Sequence, residues 1–148
     1  MDRLMVPPVE YEDDFVLWVE QQASLLSARQ FDQLDVHHLI EELRAMVGHH
    51  RRELGSRLEV LMMHLLKCQF QPSHKSPSWL NTIDHQRGQI DELVRESPSL
   101  VPTIAHVAQQ RYARARRMAA RETGLSRNGF PSALPYSVQQ LLDDDFVP

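Results

Sequence analysis

From Asp35 to Phe70 the chain carries no proline, and Pro72 stops what those residues begin. Apolar residues here recur at helical rather than alternating spacing, with Leu39, Leu43, Leu54, Leu61 and Leu65 on one stripe. Asp35 is a good N-cap for the segment. As one helix it would be a rod of roughly 52 Å at ~1.5 Å rise per residue. Gly48 and Gly55 are the two places where it would bend or split. An element of this kind sets the fold class as all-α, because the remaining segments must pack along it.

The other segments agree. Tyr11 to Ala28 reads as an amphipathic helix with Phe15, Trp18, Val19, Leu25 and Leu26 inward. Ser76 and Pro77 cap a third helix, to about Glu96, which turns Trp79, Ile83, Ile90 and Val94 inward. "SPSLVP" repeats the device with a short 3₁₀ turn at Pro98. It leads into a fourth helix from near Pro102 to Glu122, with Gly124 as its stop. Its narrow face is Ile104, Ala108, Tyr112, Ala115 and Ala119. Residues 125–148 read as an irregular packed tail with one short helix from Ser137 to Leu142, and residues 1–10 as an N-terminal extension. Four main helices with short connections predict an up-down bundle within a single domain over 1–148.

Composition narrows the function classes. Net charge is only −4, so no global field points to nucleic acid or to an anionic membrane. No apolar run approaches the ~20 residues that span a bilayer, and the start lacks a signal-peptide pattern, so a cytoplasmic location is expected. A single cysteine, Cys68, excludes an internal disulfide and a Cys-rich zinc site.

The strings "YEDDFVLWVEQQASLLSA", "EELRAM", "RLEVLMMHLLK", "QPSHKSPSWLNTIDHQR", "ESPSL", "ETGL" and "PYSVQQLLDDDF" cover nearly the whole chain. In this order they resemble the bacterial family catalogued as domain of unknown function 29. Cys68 stands where that family usually has an aromatic residue, and Asp84–His85 departs from its commoner pattern. The resemblance implies an all-helical fold and brings no activity, substrate or catalytic residue with it.

The side chains offer four candidate sites. Glu42, His49, Glu53, Arg57 and His64 form a polar ladder within about 80° on the long helix, at the edge of its apolar stripe. Only His49 and Glu53 have chelating i,i+4 spacing, Glu53 and His64 are roughly 16 Å apart along the axis, and no HExxH pattern occurs; neither a metal nor a cofactor is expected. The paired histidines, His37–His38 and His49–His50, read as surface residues. Arg87 falls inside the inward stripe of the third helix, where an ion pair with Glu42 or Glu53 is expected to neutralise it. Arg114, Arg117 and Arg121 share an outward face that suits phosphate, although no aromatic residues are interleaved.

Arg57 and His64 are about 20° apart in projection and roughly 10 Å apart along the axis. Their Arg-x6-His spacing resembles the motif of HEPN ribonucleases, small helical proteins in which two such motifs meet across a dimer. Leu58 stands where those motifs usually carry a polar residue. A histidine moving a proton beside a phosphate-holding arginine, with Glu53 nearby, is coherent metal-free chemistry. Glu53 can equally neutralise Arg57 one turn away. The preferred reading is a non-catalytic interaction or assembly module with an unidentified protein partner. A homodimer is also expected, on the surplus of Tyr11, Trp18, Phe130, Tyr136 and Phe146. The alternatives are a metal-independent ribonuclease using Arg57 and His64, or nucleic-acid binding through the arginine face.

Overall fold

A computed structural model describes residues 7–148, which form helices and no strand. The helices are α1 (Phe15–Ser27), α2 (Val36–Phe70), α3 (Pro77–Glu96), α4 (Ile104–Thr123) and the short α5 (Val138–Leu142). Part of the N-terminal extension, residues 1–6, lies outside the described residues. Caps fall where the side chains demand them. Asp14 accepts from the Leu17 amide, Asp35 from His38 and Ser76 from Trp79, while Gly124 takes the left-handed conformation after α4. α2 is one uninterrupted helix through Gly48 and Gly55.

The chain gathers into two compact units, residues 1–47 and 48–148, with α2 running through the boundary. The first unit is an antiparallel hairpin of α1 and the start of α2, since Tyr11 bonds Glu42 while Trp18 bonds Asp35. Only Trp18, Gln22 and Leu25 of α1 are buried. Phe15, Val19 and Leu26 of α1 and Leu43 of α2, expected inward, are 41–61% exposed. Two helices share only one interface, so apolar residues on their other faces meet nothing within the unit.

In the second unit, Arg57 of α2 meets Gln86 of α3 while Lys67 meets Trp79, so α2 and α3 are antiparallel. Glu59 meets Arg111 and Lys67 meets Glu122, so α4 runs parallel to α2: an up-down-up arrangement. Its core holds Leu54, Leu58, Leu61, Leu65, Ile83, Ile90 and the expected face of α4. The tail is fastened by side chains reaching its carbonyls: the Tyr112 hydroxyl donates to Pro131 at 2.6 Å and Arg116 to Phe130 at 3.0 Å. Phe130 and Tyr136 thereby enter the core.

Candidate interaction surface

Most exposed large apolar residues among those described belong to the first unit. On α2, Val36, Ile40, Leu43 and Val47 are 42–61% exposed and follow 4-3-4 spacing, the seam pattern of a helix packed against another helix. On α1, Phe15, Val19 and Leu26 lie within about 40° of one another, roughly 70° round from the buried Trp18 line. The α2 seam is about 140° round from the Asp35, His38 and Glu42 side that meets α1. Antiparallel helices turn in opposite senses when viewed from one end, so both rotations bring these residues to the same side of the hairpin.

A polar network sets the hairpin. Asp35 accepts from the Trp18 indole at 3.0 Å and lies 2.7 Å from Nδ1 of His38, while Gln22 accepts the Asp35 amide at 2.8 Å. The Tyr11 ring stacks on His38 with centroids 4.1 Å apart, and its hydroxyl donates to Glu42. That bond, with partial burial and the negative field of Glu42, pushes the Tyr11 phenol up to about 12. The Asp35 carboxylate holds His38 above its ordinary value against opposing desolvation. Burial pushes Asp35 upward, but the bonds from His38 and Trp18 outweigh it and leave its pKa lowered. His38 is therefore a partner in this network, whereas the sequence reading places it on the surface.

The second unit separates the proposed catalytic pair. Arg57 lines an open groove of about 420 Å³ with His49, Arg52, Glu53, Ser56, Val60 and Gln86. Its guanidinium lies 3.6 Å from Glu53 and 3.4 Å from the Gln86 side-chain oxygen. His64 is buried among the core residues, Nδ1 2.9 Å from the Val60 carbonyl, and desolvation holds its pKa down. It is not among the residues lining the groove.

Arg87 is 3% exposed, and its donors do not go to the expected carboxylates. Nε donates to the Leu141 carbonyl at 2.8 Å, and Nη2 to Gln140 at 3.0 Å and Phe146 at 2.8 Å. Gln140 and Leu141 sit in the last turn of α5, whose carbonyls lack helical partners. A buried cation satisfies them and faces the negative end of the helix dipole. Glu53 instead faces Arg57, and Glu42 accepts from Tyr11 in the first unit.

Of the phosphate candidates, Arg114 is tied to Glu59, whose nearly buried carboxylate it shares with Arg111 at 3.0 Å each. Arg117 and Arg121 are exposed. Gly55 makes the arrangement possible, because a Cβ there would lie 2.7–2.8 Å from the Arg111 guanidinium. Among the described residues no group of three or more His, Cys, Asp or Glu is placed to hold a metal ion, and no helix is long and apolar enough to cross a membrane.

A model of the family described as "Domain of unknown function DUF29" matches residues 10–147. The chain belongs to the DUF29 family. No curated protein and no solved structure matches it. The DUF29 match spans both units, so the hairpin with its exposed seam and the three-helix unit are alike within the family's extent. Sequence reasoning missed two features. The uncovered seam was legible as an apolar stripe but not as an exposed one; the Asp35–His38 pair was visible in its cap position and i,i+3 spacing, which juxtaposes side chains on a helix.

Proposed function

We propose that this DUF29 chain is a non-catalytic interaction or assembly module of the bacterial cytoplasm, with the hairpin as its docking element. The observation that carries this reading is the exposed seam of Val36, Ile40, Leu43 and Val47, beside Phe15, Val19 and Leu26 on α1. Contiguous exposed apolar faces of this kind characterise protein interaction sites. The ribonuclease alternative has less support, because the groove presents Arg57 while His64 is enclosed. Nucleic-acid binding rests on Arg117 and Arg121 once Glu59 has engaged Arg114. The test is Leu43→Glu. A docking residue that packs against nothing in its own chain tolerates the charge, with unfolding stability unchanged within about 0.5 kcal/mol. A loss of ~2 kcal/mol or more would make Leu43 a core residue and end the reading.

A further inference from the structure

We propose that the groove between α2 and α3 binds a small phosphorylated polyol, the phosphate held by Arg57 and Arg52. The site is separate from the docking face, because every described residue that lines it belongs to the second unit.

An unsatisfied guanidinium carries the inference. Arg57 has five N–H donors and finds two neighbours for them: the Gln86 side-chain oxygen at 3.4 Å, near the limit of a hydrogen bond, and Glu53 at 3.6 Å, beyond it. Elsewhere in the same unit the chain closes such contacts, with Arg111 and Arg114 each 3.0 Å from Glu59 and the Arg87 donors 2.8–3.0 Å from their carbonyls. The loosely held guanidinium of Arg57 is the one that lines an open groove of about 420 Å³. That size is within the range of small-molecule sites, about 300–1,000 Å³.

The rest of the lining adds donors. The side chains of Arg52, Ser56 and His49 make no hydrogen bond or ion pair among the described residues. By helical projection Arg52 and Arg57 lie about 140° apart and roughly 7.5 Å apart along the axis, with His49, Glu53 and Ser56 between them. The Arg52 guanidinium lies over Gly48, where a Cβ would come within 3.2 Å of Nη1, so the glycine leaves the room it occupies. Two permanent cations against one carboxylate favour an anion, and phosphate oxygens match guanidinium donors in pairs.

Glu53 and Gln86 set the rest of the ligand. A bare anion leaves the Glu53 carboxylate facing its own sign, whereas hydroxyl groups can donate both to that carboxylate and to the Gln86 oxygen. Among the described residues no Phe, Tyr or Trp lines the groove and Val60 is its one aliphatic side chain, so a nucleobase has nothing to stack on. A phosphate ester that carries hydroxyls fits this lining better than a nucleotide does.

Isothermal titration calorimetry of the full chain, with ribose 5-phosphate, ribose, inorganic phosphate and AMP as probes, is the experiment. Ribose 5-phosphate should bind saturably at one site per chain, inorganic phosphate more weakly, and ribose not measurably. Arg57→Gln and Arg52→Gln should each weaken ribose 5-phosphate on the order of 10-fold or more, the worth of a hydrogen bond to a charged group. Arg51→Gln removes the same charge from an exposed position about 120° round the helix from Arg57 and should leave binding unchanged. Circular dichroism checks that each variant keeps its helicity; should Arg57→Gln lose it, exposed and unbonded Arg52 still supplies the test. Absence of saturable binding at millimolar ribose 5-phosphate overturns the proposal. Equal losses in Arg51→Gln and Arg57→Gln overturn it too, because general charge then does the attracting. Inorganic phosphate binding as tightly as ribose 5-phosphate, or AMP binding more tightly, overturns the assignment of a phosphorylated polyol.

Discussion

Arg87→Ala is the substitution from which the second unit should suffer most at a single polar position. Arg87 makes three bonds to tail carbonyls, each 2.8–3.0 Å long, and it is 3% exposed. A hydrogen bond to a charged group contributes about 1.5–3 kcal/mol net, and two of these also cap the α5 carbonyls against the helix dipole. Against that stands Nη1, buried with no partner, a desolvation cost of ~1–3 kcal/mol that the alanine variant no longer carries. Water can also reach some of the vacated carbonyls as the tail loosens. The balance is a loss of about 3 kcal/mol, which lowers the melting temperature by on the order of 10 °C. Desolvation pushes the Arg87 pKa down while Asp144, Asp143 and Asp84 oppose it, so the side chain stays a cation at neutral pH. Thermal and urea unfolding measure the loss, and hydrogen exchange locates it: α5 and residues 143–148 should lose protection before α3 does. Glu53→Gln combined with Arg87→Ala should be additive, because Glu53 belongs to Arg57. An unchanged melting temperature would refute the capping argument, and strong coupling to Glu53 would reinstate the interhelix ion pair.

Gly55→Ala adds about 1 kcal/mol of helix propensity but displaces Arg111 from Glu59, forfeiting about 1.5–3 kcal/mol. Urea unfolding should show a net loss near 1 kcal/mol, and the same change made in an Arg111→Ala background should instead stabilise. Arg29 adopts a left-handed conformation with φ 56° after α1, so Arg29→Gly should stabilise the hairpin by roughly 0.5–1 kcal/mol in thermal melts. The two units should respond oppositely to pH between about 5 and 8 when followed by residue-resolved hydrogen exchange. His38, raised above 6.5, stabilises the hairpin fully below 6.5, and that contribution fades as pH climbs through its folded value. His64, lowered from 6.5, makes the second unit lose stability as pH falls below 6.5 toward its folded value; a common direction in both units would contradict these assignments.

What the sequence makes legible is what local chemistry determines. Asp35, Ser76 with Pro77, and Gly124 mark helix ends because each solves a local problem of orphan amides or backbone handedness. The small-residue face of α4 is equally readable, and Ile104, Ala108, Tyr112, Ala115 and Ala119 are all buried. Arg87 shows where such reading stops. Its place on an apolar stripe says that it is buried and needs acceptors, but its acceptors are backbone carbonyls more than fifty residues away, and a carbonyl has no letter in the sequence. His64 stands at the same limit, since 3.6-residue periodicity puts it near Arg57 in projection but does not say which of the two meets a neighbouring helix.

The long helix holds the remaining lesson, because its two ends carry one apolar pattern in two environments. Val36, Ile40, Leu43 and Val47 repeat as Leu54, Leu58, Leu61 and Leu65 with the same 4-3-4 spacing, the two sets separated by the polar run from Gly48 to Glu53. The latter four are fully buried, whereas the former four are 42–61% exposed. Periodicity specifies which side of a helix is apolar, but burial requires another surface against that side, and α3, α4 and the tail supply it only to the second unit's stretch. Charge divides at the same place. Residues 1–47 hold ten acidic and three basic side chains, residues 48–148 ten and thirteen, giving −7 and +3 behind an overall −4. The first unit therefore joins uncovered apolar residues to a strong net charge, and these have different consequences for association. Net repulsion between two hairpins falls off over a Debye length of about 8 Å at physiological salt. Added salt should accordingly strengthen any association of two hairpins through their apolar faces, because it screens the −7 that each carries. Sedimentation at low and high ionic strength measures the sign, and an association that weakens as salt is added would refute this reasoning.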